Sequence, residues 1–239
     1  MPKLLVIMFA SVSLMFARGE HIFGVGGKPV LCVKDADMDP LAKSYADEST
    51  HLKPGSGHTP GFPFLFGPDT MKSIIPEYVV VPGFEGHPYV NTLSGGIGFL
   101  GQDDRGRFGP AARARAVEEE WYARGDCTNL VIKSLMNTDL YEVKCNAKAN
   151  YSAIWNRLPE PKKSMPNPHE FVVAACQEEH LTIGLYSGRT LKNCTRIAII
   201  DEFYIDYKFQ EDNAPIIPQI DLMIIDKIIQ WKRNCSTPT

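Results

Sequence analysis

Apolar and polar residues alternate with a period of two through much of the second half of the chain. Tyr141, Val143, Cys145 and Ala147 alternate with Glu142, Lys144, Asn146 and Lys148. This predicts a strand with one face in the core and one polar face in water. Tyr151, Ala153 and Trp155 keep the rhythm, residues 171–176 form a short apolar run, and Leu181, Ile183 and Leu185 alternate with Thr182, Gly184 and Tyr186. Residues 196–200 follow. Phe203, Ile205, Tyr207 and Phe209, set against Tyr204, Asp206 and Lys208, complete the set. The short polar links suit antiparallel hairpins rather than crossover helices. Residues 177–180, ending at His180, read as one such turn.

Two segments follow helical spacing instead. Over residues 111–124, Ala114, Val117 and Trp121 recur on one face and Gly125 supplies a C-terminal stop. Over residues 218–232, Pro218 suits a first turn, and Ile220, Met223, Ile224, Ile228 and Trp231 form an apolar stripe. Leu222, Ile225 and Ile229 widen that stripe, so this helix is expected to lie against the sheet. The resulting fold class is α+β, mainly β. It is an antiparallel meander or barrel-like sheet of about six or seven strands, flanked by an N-terminal and a C-terminal helix.

The first half reads differently. Residues 20–111 hold 15 glycines and 10 prolines in 92 positions, a density at which irregular structure is the expectation. Large apolar residues nevertheless persist at Phe62, Phe64, Leu65 and Phe66 and at Tyr78, Val79, Val80 and Val81, so loops packed against something are expected. Ahead of this lies Lys3, an apolar run over residues 4–16, and Ala17-Arg18-Gly19, the layout of a secretory signal peptide. Three parts follow: a signal peptide at 1–19, a Gly/Pro-rich irregular region at 20–111, and a cysteine-containing β domain with its C-terminal helix at 112–239.

Composition narrows the classes. The chain has 239 residues, 22% of them charged, and a formal net charge of −3, which excludes a strongly basic nucleic-acid binder. No apolar stretch reaches the roughly 18 residues of a membrane span, so no membrane insertion is expected. All six cysteines (Cys32, Cys127, Cys145, Cys176, Cys194 and Cys235) lie beyond the leader. Three disulfides in an oxidising compartment are the default, with the pairing open. No Cys-x-x-Cys or His-x-x-x-His spacing points to a metal site. Asn150, Asn193 and Asn234 each begin an Asn-x-Ser/Thr glycosylation sequence. Together these features place the protein outside the cell.

Candidate chemistry is sparse. Gly96, Gly98 and Gly101 match the glycine spacing of a dinucleotide loop. The residues after them are poor helix material, so a flexible loop is the better reading and no cofactor is expected. No Gly-x-Ser-x-Gly elbow exists. His180 reads as an exposed turn residue rather than a general base, and the even cysteine count removes Cys176 as a nucleophile. No catalytic residue is assigned. Arg124, Gly125 and Asp126 form the tripeptide that integrins read, at a corner next to Cys127. Strand aromatics and aliphatics, namely Tyr141, Val143, Trp155, Leu185, Phe203, Ile205 and Tyr207, are candidates to line a cavity for a small hydrophobic ligand, with core packing as the competing role.

In element order, residues 112–239 resemble the secreted lipocalin-type barrels. They lack a Gly-x-Trp near the first strand, and no family is assigned on this outline. The function expected is a secreted, non-enzymatic binding protein for a small hydrophobic ligand or an extracellular protein partner. Two alternatives stand beside it: an extracellular matrix or adhesion protein using Arg124-Gly125-Asp126, and a secreted hydrolase without a recognisable motif.

Overall fold

A computed structural model describes residues 20–25, 28–38, 62–84, 87, 90–99, 130–145, 149–156, 172–181, 186–201 and 203–236. Strands β1 (Glu20–Val25) and β2 (Lys28–Lys34) pair antiparallel as a small separate sheet. A 3-10 turn at Asp35–Asp37 follows. The main sheet has eight strands: β3 (Phe62–Phe66), β4 (Leu93–Phe99), β5 (Val131–Ser134), β6 (Tyr141–Lys144), β7 (Tyr151–Trp155), β8 (Val172–His180), β9 (Thr190–Ile200) and β10 (Phe203–Gln210). Their order is β3-β4-β10-β9-β8-β7-β6-β5, antiparallel throughout. The sheet is open, with β3 and β5 at its edges, so of the two forms expected from the alternation the closed barrel is excluded. A short helix α1 (Pro68–Ile74) lies between β3 and β4, and the long helix α2 (Ile217–Ser236) ends the described chain.

The stripe on α2 does what its spacing requires. Ile220, Met223, Ile224, Ile228 and Trp231 are buried with Phe203, Ile205, Tyr207 and Phe209 of β10 in the main core. Leu222 and Ile229, which widen the stripe in sequence, are exposed. They sit on the flank that the sheet does not reach. Asp221 of α2 accepts from the Arg196 guanidinium of β9 at 2.6–3.0 Å and from the Tyr207 hydroxyl at 2.8 Å. That charged, hydrogen-bonded junction orients the helix across β9 and β10.

Two disulfides secure this arrangement. Cys176 and Cys194 face each other in the β8–β9 ladder. Cys32 of β2 joins Cys235 of α2, closing 203 residues of chain. Cys145 is also disulfide-bonded, with its partner outside the described residues.

Several expectations need correcting. The glycine-rich stretch around Gly96 and Gly98 is strand β4, not a flexible loop, and it lies between β3 and β10. Gly95 serves close approach: a Cβ there would meet the Asp206 backbone carbonyl and stand 2.8 Å from both the Phe64 ring and the Tyr207 backbone. Residues 177–180 are not a turn but the end of β8, pairing with Thr190–Asn193 of β9. The polar parity of β6 is not left in water, because Glu142 is only 5% exposed. The helix expected over 111–124 lies outside the described residues.

Candidate functional site

The two edges of the sheet differ. Beside β3, Met38 forms a bridge to Phe64, so the chain near β2 occupies that margin. Beside β5, no described element pairs on the outer side. All four residues of β5 are exposed. Val131 and Ile132 are about two-fifths exposed, and Met136 in the following turn is 84% exposed.

The geometry shows which backbone groups face outward. Leu135 N–H donates to Leu140 C=O at 2.9 Å, and the register pairs Lys133 with Glu142 and Val131 with Lys144. Hydrogen-bonded and non-hydrogen-bonded pairs alternate along an antiparallel ladder. Ile132 and Ser134 therefore present N–H and C=O to the open side, two peptide groups ready for a further strand.

Behind this edge the sheet carries a cleft of about 300 Å³ lined by Val131, Lys133, Glu142 and Lys144. Its floor is a charge network. Lys192 of β9 donates to both Glu142 and Glu211, the latter in the 3-10 segment Glu211–Ile216. Lys144 stands 3.7 Å from Glu142 and 3.7 Å from Glu178, and Lys133 stands 3.9 Å from Glu142. Burial disfavours the Glu142 carboxylate. The hydrogen bond and charge of Lys192, aided by Lys144, outweigh it and hold the group below its ordinary value. Burial pushes Glu211 the other way, with Glu142 adding to the rise. Lys192, despite its own burial, is held above the usual lysine value by the two carboxylates. The network is thus a set of mutually neutralised charges fixing β6, β9 and the 3-10 segment, with Lys133 (72% exposed side chain) at its solvent end.

The expected site residues are distributed as follows. Val143, Ala153, Ala175 and Thr195 form one row across β6–β9, and Lys208 continues it on β10. Phe203, Ile205 and Tyr207 have the opposite parity to Lys208. The proposed ligand-lining set is therefore divided: Tyr141, Val143 and Trp155 pack in one cluster, while Phe203, Ile205 and Tyr207 pack on the other face beneath α2. Leu185 lies outside the described residues, as do Cys127 and the tripeptide Arg124-Gly125-Asp126. Asn150 is exposed in a bend before β7, Asn193 is on β9 and Asn234 is on α2. Sequence reasoning missed β5, the two outward peptide groups and the Glu142–Lys192–Glu211 network. Four residues are too few to show a period, and the network's partners are far apart in sequence.

No known protein family matches the chain, and no curated protein matches it. Among solved structures it is similar to an immunity protein of the Stenotrophomonas maltophilia type IV secretion system. The identity is 9%, over 89% of this chain and 93% of that one, with a TM-score of 0.45. Among the described residues no helix is long and apolar enough to cross a membrane.

Proposed function

We propose that this chain is a secreted, non-enzymatic binding protein that takes an extended segment of an extracellular protein partner onto the open side of β5. The observation that supports this reading most is the edge itself. Ile132 and Ser134 present peptide groups that no described strand pairs, flanked by the exposed apolar side chains of Val131, Ile132 and Met136. Strand addition uses such main-chain groups for affinity and neighbouring side chains for selectivity. Lys133 sets the character of the partner. A lysine on an edge opposes pairing with a second copy of the same strand, and it favours a partner strand with an acidic residue opposite. The disulfides fit an oxidising compartment.

The test is selection of peptides from a displayed library on the disulfide-intact protein, followed by titration against Ile132→Pro. That proline removes an outward N–H and leaves the β5–β6 ladder intact. Peptides that lose at least tenfold in affinity for the variant, with unchanged thermal unfolding, support strand addition. Peptides that bind both proteins equally, or a library that yields no binder, overturn it.

A further inference from the structure

The register of β5 against β6 sets Val131 opposite Lys144 and Lys133 opposite Glu142. These four residues share one face of the sheet, and the cleft of about 300 Å³ lies among them. Ile132 lies on the other face, opposite Val143 and beside its apolar cluster. A strand added outside β5 alternates in the same way. Its residues opposite Val131 and Lys133 fall on the cleft face, and the residue opposite Ile132 falls on the apolar face.

The cleft is lined by two ammonium groups and one carboxylate, and that carboxylate is already served. Glu142 accepts a hydrogen bond from Lys192 of β9. Lys144 stands 3.7 Å from both Glu142 and Glu178, and Lys133 stands 3.9 Å from Glu142. These are ion-pair separations longer than a hydrogen bond. The two lysines can therefore donate to a further anion while Glu142 keeps its bond to Lys192. The same carboxylates limit what is accepted. A singly charged carboxylate is matched by Lys133 and Lys144, whereas a doubly charged phosphate would be repelled by Glu142 and Glu178.

Of the two cleft-facing positions, the one opposite Val131 has the access. Valine ends one carbon past its Cβ, whereas Lys133 is long and fills its own row toward Glu142. An added strand lies two strand spacings from β6, about 9.5 Å. Glutamate and Lys144 span that distance together, and aspartate falls one carbon shorter.

We infer that the cleft is a specificity pocket for one glutamate of the bound segment, placed opposite Val131 and held between Lys133 and Lys144, with an adjacent apolar residue lying over Ile132. The inference rests on strand addition at β5 and adds the chemistry of the partner, an extended segment in which an apolar residue and a glutamate are neighbours.

The probes are peptides selected from a displayed library on the disulfide-intact protein. They are made with acetylated N-termini and amidated C-termini, so that side chains supply their only carboxylates. They are expected to share a glutamate beside an apolar residue. Changing that glutamate to glutamine is expected to weaken binding about tenfold on the parent protein and less than about twofold on Lys144→Met. Val131→Phe, which fills the cleft from an exposed edge position, repeats the comparison if Lys144→Met does not fold. Thermal unfolding shows that the variant used is folded at the binding temperature.

Peptides that share no glutamate but lose affinity for Ile132→Pro overturn the pocket and leave strand addition standing. So do peptides whose glutamine forms lose as much on the folded variant as on the parent. Glutamate-dependent peptides that bind Ile132→Pro as tightly as the parent overturn strand addition, and the register with it. A library without a binder overturns both.

Discussion

The indole N–H of Trp231 donates to a carboxylate oxygen of Asp37 at 2.9 Å, across 194 positions of sequence. The other Asp37 oxygen accepts from Lys227 at 3.0 Å. One aspartate in a three-residue turn thereby joins the β1–β2 pair to the end of α2. Asp37→Ala leaves a fully buried indole N–H without this acceptor. A loss of about 1–3 kcal/mol is expected in urea unfolding, with a change in tryptophan emission as the ring loses its polar partner.

The Cys32–Cys235 bridge acts on the same junction. It closes 203 residues, and the chain-entropy account assigns a loop of that size about 5 kcal/mol. The Cys176–Cys194 bridge already restricts part of the loop, so the double substitution Cys32→Ser, Cys235→Ser is expected to cost less than that. Chemical denaturation of the variant under oxidising conditions measures it. An unchanged midpoint would show that the helix and the β1–β2 pair hold without covalent help.

Lys192 is the hinge of the charge network. Glu142 is held low in the folded state, so the stability it contributes is present above the unfolded carboxylate value of 4.5 and is lost as pH falls through its lower folded value. Glu211 is held high, so its ionisation begins to oppose folding as pH rises through the interval above 4.5. The two partly cancel on the acid side. Lys192→Met leaves both carboxylates with their burial and without their main partner. A loss of about 3 kcal/mol at neutral pH is expected. Because burial then raises both groups rather than Glu211 alone, the variant should recover more stability than the parent between pH 7 and pH 5. Urea unfolding at the two values decides it.

Gly95 is irreplaceable for a steric reason. It pairs with Phe64 on one side and Tyr207 on the other, and an added Cβ meets backbone on β10 as well as the Phe64 ring. Gly95→Ala is expected to destabilise by about 1–3 kcal/mol through overpacking. The measurement is thermal unfolding, with Gly67→Ala as a control, because a Cβ there meets nothing within 4 Å.

Long alternations and the helical stripe were legible because a period of two or 3.6 repeats over many residues. Thus β10 and α2 fall close to where the pattern puts them, while of β9 (Thr190–Ile200) only residues 196–200 were read as strand. The glycine-rich first half was not legible. Gly95, Gly96 and Gly98 have no side chains to alternate, and β4 is a strand only because Phe64 and Tyr207 pair with it. Nor could alternation tell which parity meets the core. Val143 and Tyr207 both read as inward positions, yet they lie on opposite faces of one sheet, each covered by its own apolar cluster.

By itself, then, the sequence determined the local features: alternating strands, the amphipathic C-terminal helix, an even set of cysteines, a leader-like start and three candidate glycan sequences. Each of these is written within a few neighbouring residues. Only the tertiary structure decided the strand order, the open edge at β5, the pairing of Cys32 with Cys235 and the Glu142–Lys192–Glu211 network. Those depend on which distant segments meet. That choice follows from collective burial and close packing of the whole chain, which no local window contains.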